Sequence, residues 1–318
     1  MTARWTENDV PDQTGRTVVI TGASSGIGLA TARLFARRHA QVVLACRDPE
    51  RTAEAERRIL AETPGATLRT VPLDLTSQAS VRRAAAQLRE EHPRIDLLIN
   101  NAGGTFRHQR TTEDGFETTF ATNHLGPFAL TGLVLPALLE TPGSRVVTVS
   151  SVGHKRGSMH FGDLQLSARY RFGQAYFQSK VANLLFAYEL QRRLAAAGAG
   201  TVSVAAHPGN ARTRFGAELL PVRVFTSQLT RPFTWWLLQE PEVSALASVR
   251  AAVDPDVVGG EYFGPDGRNE WTGHPVRVES TPLTHDAATQ RRLWAESERL
   301  TGVVYPLADA DRLAPRVP

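Results

Sequence analysis

Tyr176 and Lys180, four residues apart in Tyr176-Phe177-Gln178-Ser179-Lys180, are the pair whose chemistry the rest of the chain has to explain. On a helix that spacing puts both side chains on one face, about one turn from each other. An ammonium beside a phenol favours the phenolate, because an opposite charge stabilises the ionised form. Free tyrosine titrates near about 10, too high for ready proton exchange at neutral pH, so the neighbour matters. The same pair also fits a surface lysine beside a half-buried tyrosine. Tyr170 and Tyr188 have no lysine at that offset and are not assigned this chemistry.

A second stretch suits a phosphate. The β-branched run Arg16–Thr21 reads as a buried strand. It enters Thr21-Gly22-Ala23-Ser24-Ser25-Gly26-Ile27-Gly28, and an Ala- and Leu-rich helical stretch follows to about Arg38. Glycines let the backbone approach a pyrophosphate, and a helix N-terminus offers free N–H groups at a positive dipole end. The alternative is a Gly/Ser turn with no ligand. In such folds an acid about 20 residues on bonds the ribose 2′-hydroxyl, whereas an arginine accommodates a 2′-phosphate. Here the second strand, Gln41–Ala45, runs into Cys46-Arg47-Asp48. Arg47 therefore points to NADP(H), with NAD(H) as the alternative. Asp48 is the counter-signal, since it either turns inward or caps the helix starting near Pro49.

The elements that position these residues alternate. A helix reaches about Glu62, and Thr67–Leu73 is a third strand ending at Asp74-Leu75. Thr76-Ser77 caps a helix over Gln78–Glu91. Ile95–Ile99 is a fourth strand, apolar on both faces, entering Asn100-Asn101-Ala102-Gly103-Gly104. Phe116–Leu139 is helical and holds Asn123, a polar residue among apolar ones, with Pro127 expected to kink or break it. Ser144–Val149 is a fifth strand ending at Ser150-Ser151. A helix over Gly173–Ala197 carries Tyr176 and Lys180, and a sixth strand, Thr201–Ala206, closes at His207-Pro208-Gly209. Such alternation implies an α/β fold, a single Rossmann-like, doubly wound parallel sheet flanked by helices. Ligands of such sheets sit at the strands' carboxyl ends, where Gly22, Arg47, Asp74, Asn101 and Ser151 all fall. We divide the chain into an N-terminal extension (1–14), the sheet domain (15–272) and a C-terminal tail (273–318).

Composition narrows the class. Hydrophobic residues make up 42% and charged residues 21% of 318, ordinary for a soluble globular chain. A net charge of +4 with arginines interspersed among acids gives no nucleic-acid stripe. The single cysteine, Cys46, excludes an internal disulfide and a cysteine-based zinc site, and suits a reducing compartment; we expect a cytoplasmic protein. Neither a signal-type apolar core nor a bilayer-length run is present in the sequence. Between residues 152 and 172 lie His154, Lys155, His160 and Asp163, whose spacing fits no metal-ligand set, so no metal is expected.

The combined motifs resemble the short-chain dehydrogenase/reductase family: Thr21–Gly28, Asn100–Gly103, Asn123, Ser150-Ser151, Tyr176 with Lys180, and Pro208-Gly209, in the family's order over about residues 15–265. Ala45–Asp48, His160–Gln165 and Ser179–Asn183 are similar to its retinol dehydrogenase and protochlorophyllide reductase branch. The resemblance implies that Tyr176 is the general acid in carbonyl reduction and the base in alcohol oxidation. It implies that Lys180 holds the nicotinamide ribose and that Ser151, rather than Ser150, bonds the substrate oxygen. Asn123 would position a relay water. Asp74 and Leu75 would flank the adenine, Asn101, Ala102 and Gly103 would line the adenosine and nicotinamide side, and Pro208, Gly209 and Thr213 would close over the nicotinamide. NADP-preferring members often carry a basic residue where this chain has Ser25, so the NADP reading rests on Arg47. Family members often pair through the Tyr176 helix and its predecessor, which implies a homodimer as one arrangement.

Residues 210–240 fall where a lid over the substrate would lie and hold Phe215, Leu219, Leu220, Val224, Phe225, Phe233, Trp235, Trp236, Leu237 and Leu238. We read them as a small lid for a lipophilic carbonyl or alcohol. Arg223 and Arg231 beside Trp235-Trp236 also suit shallow membrane contact, although a lid packed on the core is the favoured reading. Two other classes compete: a dinucleotide-binding sensor without turnover, and a dehydratase or epimerase acting on sugar nucleotides. Intact Ser151, Tyr176 and Lys180 count against the first, and the short segment after Pro208 against the second.

Overall fold

Alternate residues of the first strand belong to different cores. Val18 and Ile20 pack into one apolar cluster and Val19 into another. A strand whose successive side chains are buried on opposite faces must lie inside a sheet covered on both sides. The computed structural model, which describes residues 4–211 and 238–307, has that architecture.

Strands β1 (Thr17–Thr21), β2 (Gln41–Cys46), β3 (Thr67–Pro72), β4 (Leu97–Asn100), β5 (Arg145–Val149), β6 (Val202–Ala206), β7 (Tyr262–Pro265) and β8 (Pro275–Arg277) form one sheet in the order β3-β2-β1-β4-β5-β6-β7-β8. All neighbours are parallel except β7 and β8. The order reverses between β1 and β4, which opens a crevice at their carboxyl ends.

Numbered among the described residues, helices α1 (Gly26–Arg37), α2 (Pro49–Glu62) and α6 (Pro241–Val253) cover one face, through Leu34, Phe35, Ile59 and Val249. On the other face lie α3 (Gln78–Glu91), α4 (Thr118–Leu139) and α5 (Phe172–Ala196), through Val81, Leu88, Phe128, Val134, Phe186 and Leu190. Helix α4 is composite: Thr118–Phe120, a π-helical turn at Ala121–Leu125, then Gly126–Leu139. The buried Glu117 carboxylate caps it, accepting from Thr119 N and Phe120 N at 2.7 Å each. Pro127 does not break this helix. It lacks an N–H and its ring crowds the carbonyl four residues back; the wider turn just before it, in which Gly126 N–H bonds Ala121 O, absorbs the misfit.

The two ends of the chain are part of the structure. Thr6 and Asp9 form a capping box, Val10 and Gln13 are buried, and Gln13 N–H donates to Arg38 O at 2.7 Å. Beyond residue 273, β8 extends the sheet. Helix α7 (Ala287–Thr301) lays Leu293 and Trp294 against α4 and α5, where Trp294, Phe128, Phe186 and Tyr305 form an aromatic cluster. Tyr305 Oη donates to Phe128 O at 2.6 Å. The segment set apart as a tail is therefore core material as far as Tyr305, because its large aromatic residues are the outer cover of two apolar helices. Thr213, and the lid stretch apart from its ends, lie outside the described residues; at those ends Ala211 and Gln239 form a parallel bridge.

Candidate active site

The glycine loop leaves β1 with Gly22 at φ +70° and Gly26 at φ +55°, a backbone region that side chains with a Cβ rarely adopt. Gly22 N–H donates to Ala45 O, which ties the loop to β2. A Cβ on Gly28 would overlap the Gly22 carbonyl oxygen and lie 2.5 Å from Asn101 Nδ2, so only glycine lets α1 pack this close. Ser25 is the N-cap of α1, is exposed, and spends no side-chain bond on the helix. The first turn of α1 thus keeps unspent N–H donors facing the crevice mouth, a cradle that suits a pyrophosphate.

Asn101 and Asp74, expected beside the cofactor, use their side chains to hold the scaffold. Asn101 Nδ2 donates to Thr21 O at 2.9 Å, while Thr21 Oγ1 accepts from Asn101 N and Ala102 N at 3.0 Å each. These bonds lock the ends of β1 and β4 together and set Ala102 against Gly22. Asp74 Oδ1 accepts from Thr76 N and Thr76 Oγ1 at 2.9 and 2.7 Å, closing the turn into α3. Leu75 is buried and packs on Gly126 at the π-helical turn.

At the end of β2, Cys46 is buried and Arg47 is exposed. Burial pushes the Cys46 thiol up, so it is no acid for a ribose. Asp48 resolves as a cap: its carboxylate accepts from Arg51 N at 3.1 Å and pairs with the Arg51 guanidinium at 3.3 Å. Among the described residues Arg47 has no side-chain partner.

The ends of β5 and β4 and the middle of α5 bring the remaining residues together. Ser150 is buried and its hydroxyl donates to Lys180 O at 2.8 Å. Ser151 begins a short 3-10 turn, Val152–Arg156, accepts from Gly153 N at 3.1 Å, and faces the Tyr176 hydroxyl within hydrogen-bonding reach. Burial raises the Tyr176 phenol to about 12, although the Ser151 hydroxyl pulls it the other way. Lys180 lies 5.8 Å from the Tyr176 ring centroid and donates to Val149 O at 3.0 Å; burial lowers it to about 8. Both groups are thus pushed toward their neutral forms. The phenolate-favouring effect expected from the spacing does not outweigh desolvation in the free protein.

Asn123, in the π-helical turn, has both amide N–H donors engaged. Its Oδ1 accepts from Gly104 N at 2.7 Å, and its Nδ2 donates to Gly104 O and Ser179 Oγ at 2.9 Å each. It fastens the loop after β4 to α5 and stands with Lys180 over Gly103, whose added Cβ would be 3.3 Å from Asn123 Oδ1 and 3.4 Å from Lys180 Nζ. Pro208 O accepts from Gln239 Nε2 at 3.0 Å, and Gly209 sits at φ +66° against Trp271 O. Asn183 also donates to Val149 O at 3.0 Å, a support for the lysine that the sequence reading passed over.

Four further residues were not singled out as a group: His154, His207, Tyr262 and Glu270. His154 Nδ1 bonds Ser151 O at 2.7 Å and packs edge-on against Tyr262. His207 reaches Glu270 at 3.1 Å, and Glu270 reaches Lys155 at 2.6 Å. In sequence His154 stands out only as one of the scattered His and Asp residues of 152–172, and His207 only as the neighbour of Pro208-Gly209; Glu270 lies in a stretch without regular pattern. Among the described residues no group of three or more His, Cys, Asp or Glu could hold a metal, and no helix is long and apolar enough to cross a membrane.

A doubly wound sheet with a glycine cradle at its switch point, and a serine, a tyrosine and a lysine gathered beside it, defines a dinucleotide-dependent oxidoreductase. The family model described as short chain dehydrogenase matches residues 16–221. Human "Retinol dehydrogenase 13" is 42% identical over 296 residues, 92% of this chain and 86% of that one. A crystal structure of a putative uncharacterized protein from Mycobacterium paratuberculosis is 39% identical with a TM-score of 0.79, covering 96% of this chain and 100% of that one. The Pseudomonas aeruginosa RhlG/NADP active-site complex is 26% identical with a TM-score of 0.61, covering 78% and 94%. The chain belongs to the short-chain dehydrogenase/reductase family, whose members interconvert CH–OH and C=O groups with NAD(P)(H).

Proposed function

We propose that this chain is an NADP(H)-dependent oxidoreductase for a lipophilic carbonyl or alcohol, with Ser151, Tyr176 and Lys180 as its catalytic residues. The observation that carries the reading is the division of labour between the two serines: Ser150 is tied down to Lys180 O, while Ser151 faces the Tyr176 hydroxyl. A carbonyl oxygen placed between those two hydroxyls would receive a hydrogen bond from Ser151 and a proton from Tyr176. The glycine cradle, the unpartnered Arg47 and the diverted Asp48 support NADP(H), and the RhlG/NADP complex is a relative of that cofactor class. Arg47 would take the 2′-phosphate, the N-terminus of α1 the pyrophosphate and Lys180 the nicotinamide ribose; NADP(H), when bound, supplies or accepts the hydride.

Tyr176, held as a phenol by burial, is a proton donor at neutral pH, which suits reduction. As its proton leaves, the Lys180 ammonium stabilises the developing phenolate across the ring. Lys180 spends one of its three N–H donors on Val149 O. Asn123 holds the Gly103-Gly104 turn and α5 in register, so that Lys180 and Tyr176 stay facing the end of β5. The lipophilic class is supported by the aromatic and aliphatic content of residues 215–238 and by the relative named for retinol. NADPH oxidation with a panel of carbonyls, long-chain and aromatic against small and polar, tests the reading. Turnover favouring the lipophilic set, abolished in Tyr176→Phe with NADPH binding retained, is expected. Faster turnover of small polar carbonyls would remove the substrate class, and NADPH binding without consumption would leave a sensor.

A further inference from the structure

Beside the site, three charged or titratable side chains from three separate segments meet in a line. Gly209 N–H donates to His207 Nδ1 at 3.3 Å. That fixes the tautomer: the proton sits on Nε2, which donates to Glu270 Oε2 at 3.1 Å. The other carboxylate oxygen, Oε1, accepts from Lys155 Nζ at 2.6 Å. Lys155 stands on the 3-10 turn that starts at Ser151; His207 and Gly209 follow β6. We propose that Glu270 is a positioning residue of the active site, a carboxylate strap that holds the His207-Pro208-Gly209 loop in a fixed relation to the turn carrying Ser151. This rests on the dehydrogenase reading above and adds to it a residue outside the serine, tyrosine and lysine.

Three observations support a built device over an incidental surface pair. His207 is fully buried and the Glu270 side chain is only 20% exposed, so the contact is largely screened from water. Burial would raise the Glu270 carboxyl, yet the His207 and Lys155 bonds hold it at about 2. The backbone that delivers it is strained: Asn269 and Glu270 are consecutive non-glycine residues at φ +54° and +58°, left-handed conformations that persist only where the surroundings impose them. The same turn closes around Gly209 itself, because Trp271 O accepts from Asn210 N at 2.7 Å and leaves no room for a Cβ on Gly209. The strap therefore acts on the loop beside the carboxyl ends of β5 and β6, and not on the glycine cradle at β1.

That asymmetry supplies the test. Glu270→Gln, Glu270→Ala and Lys155→Met are compared with wild type for binding of NADPH and of adenosine 2′,5′-bisphosphate, which carries only the adenosine half. NADH and AMP serve as a parallel pair, so the test does not depend on which cofactor is preferred. Loss of the strap is expected to weaken the whole dinucleotide, or to lower kcat of carbonyl reduction, about tenfold, the size of one charge-assisted bond. Binding of the adenosine half should change less than twofold. Lys155→Met/Glu270→Ala should be no worse than Glu270→Ala, since both break one unit. Equal weakening of whole and half ligands would mean a general loosening of the fold and would overturn the proposal. So would unchanged binding and turnover in all three variants, or effects that multiply in the double variant. Failure of wild type to bind either adenosine half would instead overturn the dinucleotide reading.

Discussion

Replacing Arg47 by alanine should convert this protein from an NADPH binder into one that treats NADPH and NADH alike. Arg47 stands one residue past β2, exposed and without a side-chain partner among the described residues, and the strand before it ends in a buried thiol. The one nearby carboxylate, Asp48, is turned away to cap α2 and pair with Arg51. A phosphate about 4 Å from a guanidinium gains about 1 to 4 kcal/mol per unit charge as the effective dielectric falls from ~80 to ~20. Ordering the exposed side chain and screening by salt subtract from that, so a net ~2 kcal/mol is expected, about 30-fold in Kd. NADH has a neutral hydroxyl at that place and should lose less than about threefold. Titration of wild type and Arg47→Ala with both cofactors by intrinsic fluorescence reads the difference directly. Repetition at 0.05 and 0.5 M salt should narrow the wild-type gap, because the screening length falls to a few ångströms near 1 M. An equal loss for both cofactors, or a wild-type preference for NADH, would refute the reasoning.

Ser151→Ala should lower kcat by about 10²–10³, the usual consequence of removing one donor to a developing oxyanion, while Ser150→Ala should leave kcat within a few-fold and cost about 1 kcal/mol of stability, because the Lys180 carbonyl loses the Ser150 bond but keeps its helical one. Thermal unfolding and turnover on the two variants separate these outcomes, and a reversed pattern would exchange the roles of the serines. Gly28→Ala should abolish dinucleotide binding and destabilise the fold by about 1–3 kcal/mol, since both residues its Cβ meets are held by bonds, Gly22 through its N–H to β2 and Asn101 through its Nδ2 to β1; binding and unfolding close to wild type would disprove the close packing. For pH, Tyr176 is raised to about 12 and Lys180 lowered to about 8, so through neutrality the first is a proton donor and the second a cation. The reductive kcat/KM should be flat below pH 7 and fall as pH rises through about 8, where Lys180 loses its charge. Oxidation, which needs the tyrosinate beside the ammonium, should rise with pH up to about 8 and level off above it; a reductive rate that climbs with pH would contradict both shifts.

Much of the fold was legible because its signals are local. Both-face apolar strands and glycine turns fixed β1 to β6 within a residue or two, and the caps Asp48 and Ser77 mark the starts of α2 and α3. The site was legible where types and spacing carry chemistry, as in Tyr176, Lys180 and Ser151. It was less so where a side chain's partner is a backbone atom far along the chain. Asn101 and Asp74 look like cofactor residues in sequence, which does not show that one polar atom of each is spent on Thr21 O and on Thr76. Nothing in the sequence announces that Glu270 meets Lys155, 115 residues away. Pro127 shows the same limit in reverse: its rule predicts a broken helix, and a π-helical turn five residues long avoids the break.

The C-terminal segment changes what the rest of the surface can do. In α5 every residue from Gln178 to Leu190 is buried, and in α4 the stretch from Gly126 to Gly132 is buried throughout. A helix buried on all sides has no face left for a partner. Part of that cover is α7 and Tyr305: Trp294 stacks on Phe186, Arg193 lies 4.5 Å over the Trp294 ring, and Tyr305 meets Gly132 where a Cβ would not fit. Pairing two copies through these helices, as the family resemblance suggested, would require α7 to leave and would expose Leu293, Trp294, Val303 and Tyr305 to water. Each such aromatic is worth about 3–5 kcal/mol in its buried place. The same cover braces the reactive residues from outside, since His124 in the π-helical turn bonds Ser297 of α7 at 2.8 Å, next to Asn123 and one helix away from Lys180. In this chain α7 covers the outer sides of α4 and α5, and the catalytic helix is braced by that C-terminal helix.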